Sequence, residues 1–179
     1  SPFLDGDEAQ FVGAGDLRLV YGNSHPPLYN WLTRIALEAT GWNWPLASAL
    51  VKGTCLGATA FLLFDAARRM GGARAGILAI ALAAFLPQVS WMASHTLAHS
   101  VLVMAAAAGV VAALAAVVET RATAAFVALG TAAGVGVLAK SNIFFLLVPL
   151  AVAVLLEPRV RHAFAGWRPI AALVPFVVL

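Results

Sequence analysis

Charge is what this sequence has least of. Only 11% of its 179 residues are Asp, Glu, Lys or Arg, against 62% hydrophobic, and the mean hydropathy is +0.91. A soluble domain of this length carries about a quarter charged residues, so that class is excluded and a membrane protein is indicated. Cysteine is nearly missing too: Cys55 alone excludes an intrachain disulfide and a cysteine-based metal cluster, and says nothing of redox compartment. The first twenty residues lack a basic start, an apolar core and a small-residue cleavage site, so no signal peptide is expected in them. The chain opens on a polar motif and closes inside a short apolar run, 170–179, and is therefore expected to be a fragment with spans missing at one or both ends.

The net charge of +3 and pI near 9.6 would suit a nucleic-acid partner if the basic residues clustered. They do not. Seven of the eleven Lys/Arg fall in short breaks between apolar runs, which is the signature of membrane orientation. Spans are expected at roughly 45–66, 74–91, 98–118, 122–139 and 143–156, with another beginning at 168–179. The run 143–156 holds about 14 residues where ~20 cross a bilayer, so it is either tilted as a partial span or starts within Lys140 to Asn142. Arg68, Arg69 and Arg74 occupy the first break, Arg121 the third, and Arg159, Arg161 and Arg168 the fifth. With odd breaks cytoplasmic, Asp5, Asp7, Glu8, Asp16 and Glu38 lie outside, together with loop 91–98 and Lys140. Small residues in the spans, among them Gly53, Gly57, Gly130, Gly134 and Gly136, read as helix-packing positions.

Residues 1–43 precede the spans and are expected to form an extracytoplasmic loop with amphipathic juxtamembrane helices. Over 5–20, Asp5 as N-cap and Glu8 as its capping-box partner predict a short surface helix. The next helix begins at Pro26 and Pro27, ends at Gly41, and repeats Leu28, Trp31, Leu32, Ile35 and Ala39 at helical spacing. Arg34 and Glu38 form an i,i+4 pair, and Trp31, Trp42 and Trp44 mark the interface.

Ionisable groups close to a membrane are costly unless paired or near water, which makes each a candidate with a bland competitor. Capping accounts for Asp5 and Glu8 but leaves Asp7 unexplained, and a carboxylate there suits a general base. His25, stiffened by two prolines, and Tyr29, one helical turn on, suit hydrogen-bond donation to a phosphate; the plain alternative is a turn before an interfacial helix. His95 and His99 are one turn apart and suit a shared cavity, or a hydrated helix end. No metal site is assigned, because the HxxxH spacing has no acidic partner nearby in sequence. Lys140, with Ser141 and Asn142, is either a snorkelling anchor or a lipid-phosphate partner on the outer face. Lys52 is within snorkelling range and is assigned a structural role; Asp65 with Arg68 and Arg69 reads as a helix-end ion pair.

Asp7-Glu8-Ala9-Gln10, then Tyr21-Gly22, then His25-Pro26-Pro27-Leu28-Tyr29-Asn30-Trp31-Leu32 resemble the bacterial glycosyltransferases related to protein O-mannosyltransferases and lipid A aminoarabinose transferases, family 39. In that family an acidic pair and a (K/H)PPL motif follow the first span on an extracytoplasmic loop, and the resemblance covers about residues 4–156. It implies an all-α, polytopic GT-C helix bundle in the bacterial inner membrane, with its active site on the periplasmic side. It further implies transfer of a sugar from a polyprenyl-phosphate carrier to a lipid, glycan or protein acceptor. Asp7 would be the catalytic base with Glu8 beside it. His25 stands where many members carry lysine. His99 falls near a position that is often acidic in the family. Lys140-Ser141-Asn142 looks like a Lys-x-Asn element that contacts the carrier phosphate. No cofactor is required, and a divalent cation is compatible with the histidines without being indicated. The competing classes are a transporter or flippase component, which would carry ionisable groups at span midplanes, and a structural membrane subunit.

Overall fold

The computed structural model describes residues 26–93 and 99–179. Among these residues every regular element is helical, so the chain is an all-α membrane protein.

Helix α1, Leu28–Ala39, starts where expected. Pro27 is its N-cap and its carbonyl accepts the first helical bond, from Trp31 at 3.1 Å. Gly41 and Trp42 both take positive φ, 61° and 65°, which ends the helix and lets the Trp42 N–H reach back to the Leu37 carbonyl at 2.7 Å. Arg34 pairs with Glu38 at 2.8 Å and its guanidinium lies 4.6 Å from the centre of the Trp42 ring. The helix buries a mixed face: Tyr29, Asn30, Thr33 and Leu37 are buried, Leu28 and Leu32 of the apolar repeat pack against the same cluster, and Ile35 of that repeat is 59% exposed.

Helix α2, Trp44–Phe85, is capped by Asn43, whose side chain accepts from the Leu46 N–H at 3.2 Å. Its 42 residues are not one rod. Gly72 is non-helical, at φ 80° and ψ −179°, and a Cβ built on Gly76 would come within 3.0 Å of the Phe64 carbonyl. Twelve residues of straight helix would separate those positions by about 18 Å. The chain therefore folds back at Gly72 into two limbs, 44–71 and 73–85, and the break falls where Arg68, Arg69 and Arg74 lie in the sequence. The second limb does not run unbroken to residue 91 as expected. Leu86 is extended, at φ −75° and ψ 121°, because the ring of Pro87 excludes the helical region for the residue before it, and a π-helical turn, Gln88–Met92, follows.

Helices α3, His99–Thr120, and α4, Thr123–Ala139, form a second hairpin around Arg121, whose φ is 54°. Lys140 is extended, at φ −166°, and a 3-10 turn, Ser141–Ile143, leads into α5, Phe144–Leu156. Helical geometry thus begins at Ser141, and Ser141–Leu156 remains one of the shorter apolar helices. Short α6, Pro158–Ala163, and α7, Ile170–Val178, complete the described chain.

The bundle has two apolar clusters. One gathers Tyr29, Val51, Cys55, Ala93, Val101, Leu102 and Ala139; the other gathers Val117, Ala125, Phe126 and Ala163, with Phe164 edge-on to Phe126 at 5.3 Å. Lipid gives helices no hydrophobic reason to associate, so close approach and dispersion must hold them. The glycines supply it: a Cβ on Gly130 would overlap the Ala172 backbone carbonyl of α7, and one on Gly134 would sit 3.1 Å from the Leu179 side chain. The expected packing role of this pair is therefore carried out between α4 and α7. No residue of α5 is buried, and its Phe145 and Leu156 are left to the surroundings.

Candidate functional site

The side-chain pairs define two poles. At the first, Asp65 accepts from Arg68 and Arg69, each at 2.7 Å, and Arg69 reaches across to Glu119 of α3 at 2.5 Å. Arg168 donates to the Arg121 carbonyl at 2.9 Å, and Glu157 caps α6 by accepting from the Arg159 N–H at 3.3 Å. The ion pair read from Asp65, Arg68 and Arg69 is present; Glu119 extends it, which local spacing does not reveal.

At the second pole, the start of α1, the start of α3 and the end of α4 meet. Tyr29, 2% exposed, lies against His99, 3% exposed, their ring centres 5.1 Å apart and their planes tilted by 46°. Ser100, the next residue of α3, accepts a hydrogen bond of 3.1 Å from the Nζ of half-buried Lys140. Each position has a local cause. Tyr29 is packed into the apolar cluster with Val51, Cys55 and Val101, and Thr33, one turn on and also buried, donates to its backbone carbonyl at 2.9 Å. His99 opens α3, and Lys140 is brought over Ser100 because α4 stops at Ala139, which is packed in the same cluster as Tyr29.

Of the residues predicted for a site, Tyr29, His99 and Lys140 are thus brought to one pole. Asn142 lies two residues further, in the exposed 3-10 turn, with no hydrogen bond to the others. Asp7, Glu8, His25 and His95 lie outside the described residues, as do Asp5 and the expected helix 5–20. Among the described residues no group of three metal-ligating side chains occurs.

Three residues at this pole were not assigned to a site by the sequence. Ser100 carries no signal of its own. Lys52, given a snorkelling role, is 4% exposed; it lies on the stripe Ala47, Val51, Lys52, Cys55, Thr59 that α2 buries, so its ammonium is enclosed by protein instead of reaching along lipid to the headgroups. Asn30 is 4% exposed. It shares the buried face of its helix with Tyr29, Thr33 and Leu37. Trp44, expected at the interface, is half-buried with its indole nitrogen enclosed.

Among the described residues this arrangement offers two lysines, a hydroxyl, an imidazole, a phenol and an amide at one end of an apolar bundle, a set suited to holding a polar head whose tail lies in lipid. No solved structure matches the chain. The chain is 26% identical over 178 residues to the lipopolysaccharide core galacturonosyltransferase RgtA of Rhizobium johnstonii, an alignment covering 98% of the chain and 35% of that relative. The chain therefore spans about a third of the length of the curated relative it matches. Residues 24–179 match the family described as dolichyl-phosphate-mannose-protein mannosyltransferase, and the chain belongs to that family of GT-C-type membrane glycosyltransferases.

Proposed function

We propose that the chain is the donor-binding part of a multi-pass glycosyltransferase. In this reading it transfers a sugar from a polyprenyl-phosphate carrier to a lipid, glycan or protein acceptor, on the extracytoplasmic side of the bacterial inner membrane. The family's description names a mannosyl lipid phosphate and a protein, and the relative's name a galacturonosyl group and a lipopolysaccharide core, so the lipid-phosphate carrier is taken from the family's description and the sugar is open between a hexose and a hexuronic acid. Asp7 is the general base, with Glu8 beside it. It takes the proton of the acceptor hydroxyl as that oxygen bonds to the anomeric carbon. The bond from that carbon to the phosphate oxygen breaks, and the carrier leaves as the polyprenyl phosphate with inversion at the sugar. His25, Tyr29, His95, His99, Lys140 and Asn142 are assigned to holding the donor.

One observation supports this reading above the rest: Lys140, bonded to Ser100, shares with the Tyr29–His99 pair the end of the bundle away from the paired arginines. A carrier whose tail stays in the bilayer presents its phosphate at headgroup depth, and a cation at that depth is what its binding requires. The positive-inside bias puts the arginine pole in the cytoplasm and this pole outside.

The test uses the full-length protein in proteoliposomes, supplied with decaprenyl-phosphate mannose and decaprenyl-phosphate galacturonate carrying labelled sugars, with label followed into membrane products. Asp7→Asn is expected to lower transfer by about 10²–10⁴, the share of a general base, while inserting normally. Full transfer by that variant removes Asp7 as the base, and no transfer by the unaltered protein from either carrier refutes the donor class.

A further inference from the structure

Asn30 is almost wholly enclosed, yet neither its Oδ1 nor its Nδ2 has a hydrogen-bond partner among the described residues. Buried side-chain amides are nearly always satisfied, so one with both ends open calls for a physical account. Solvation is not that account, because Asn30 sits on the inward face of α1 next to Tyr29 while the outward face carries Ile35. Capping is not either: α1 has no side-chain cap bond. Nor does packing need an amide, since leucine fills a similar volume with no polar atom to strand.

We infer that Asn30 is a specificity residue that binds hydroxyl groups of the donor's sugar, an assignment that rests on the glycosyltransferase reading above. The chemistry selects sugar over phosphate. A carboxamide presents one acceptor and a two-proton donor in one plane, and neighbouring sugar hydroxyls both donate and accept, so both ends are used at once. A phosphate only accepts: it would engage Nδ2 and leave Oδ1 facing an anion. The phosphate has its own partner at this pole in Lys140, which lies by Ser100 and His99, while Tyr29, in van der Waals range of the His99 ring, adjoins Asn30 in sequence. Carrier head and sugar are thus assigned to groups of different character at the same end of the bundle. A site built to bond a hydroxyl discriminates strongly against ligands lacking one, because its own buried groups are then left unpaired.

The experiment measures affinity of the full-length protein in lipid nanodiscs for bare decaprenyl phosphate and for the same carrier bearing mannose or galacturonate. The unaltered protein is expected to prefer a glycosylated carrier. Asn30→Leu is expected to bind that carrier about tenfold or more weakly, to bind the bare carrier unchanged, and to melt no lower than the unaltered protein, since a stranded amide has been removed. Retained sugar preference in Asn30→Leu overturns the assignment. So does an equal loss for bare and glycosylated carriers with a lowered melting temperature, which marks a structural role. Failure of the unaltered protein to bind any of the carriers refutes the donor class itself and the assignment with it, a result distinct from loss of discrimination alone.

Discussion

Lys140 has two roles open to it that make different numbers. If its task is to tie α4 to α3, the Nζ to Ser100 Oγ bond of 3.1 Å is all that matters. A bond of that kind contributes about 0.5–1.5 kcal/mol, and the half-exposure of the lysine favours the lower end. Lys140→Met and Ser100→Ala should then destabilise alike, and the double variant should be no worse than either. If Lys140 holds an anionic carrier head, the methionine variant loses a charge contact as well. Two unit charges at about 4 Å interact by about 1 kcal/mol in water and about 4 kcal/mol at the effective dielectric of a protein surface. A half-buried ammonium lies between those limits, which converts to a loss of affinity between about fivefold and about a thousandfold. The assay is binding of bare decaprenyl phosphate to the full-length protein in nanodiscs, with melting temperature measured alongside. The expected result is a large loss for Lys140→Met and a small one for Ser100→Ala at similar stability. Lys140→Met binding within about twofold of the unaltered protein, or Ser100→Ala losing as much, would refute the anion-binding role.

The glycines give a graded stability series. Gly130→Ala should cost about 3 kcal/mol, because the added carbon meets the Ala172 backbone, which cannot rotate away. Gly134→Ala should cost about 1 kcal/mol against the movable Leu179 side chain, and Gly53→Ala or Gly57→Ala, with nothing within 4 Å, should be neutral or stabilising by up to about 1 kcal/mol. Melting in detergent reports the order, and equal losses at Gly130 and Gly53 would contradict the α4–α7 contact. For orientation, Asn142→Cys should be labelled by a membrane-impermeant maleimide in intact cells and Arg74→Cys only after permeabilisation, with the buried Cys55 silent in both. Labelling of both from the same side would overturn the assignment of faces.

What could be read from the chain was whatever local chemistry decides. The Arg34–Glu38 and Asp65–Arg68–Arg69 pairs lie within one helical turn, and the end of α1 follows from a glycine that tolerates positive φ. The chain reversal at Gly72 was marked by a Gly-Gly step among three arginines. Lys140 stood out because a charge interrupts an apolar run. What could not be read depends on which helices become neighbours. Glu119 joins Arg69 across 50 positions, and Ser100 meets Lys140 across 40. Burial of Lys52 depends on α1 and α3 covering a stripe that in isolation would face lipid. The face of α1 was legible in part: Leu28 and Leu32 of the apolar repeat pack inward, but the burial of Asn30 and Thr33 beside them depends on neighbours that periodicity does not name.

The two poles are built differently. Along α1, Leu28 and Leu32 pack on the apolar cluster while Tyr29, Asn30 and Thr33 are buried beside them, as suits polar groups that are costly to leave in hydrocarbon. The result is a layer of Tyr29, Asn30, Thr33, Lys52 and His99 over an apolar cluster. At the arginine pole Asp65 and Glu119 stand against Arg68 and Arg69, while Arg74, Arg121, Arg159, Arg161 and Arg168 leave that end net positive. Lys140, by contrast, meets a neutral hydroxyl, and among the described residues no carboxylate lies within 4 Å of it. A half-buried cation facing a neutral partner retains its pull on an anion, and in a low-dielectric setting that pull is several times what it would be in water. The proposed binding of an anionic, lipid-tailed carrier head at Lys140 draws on that pull.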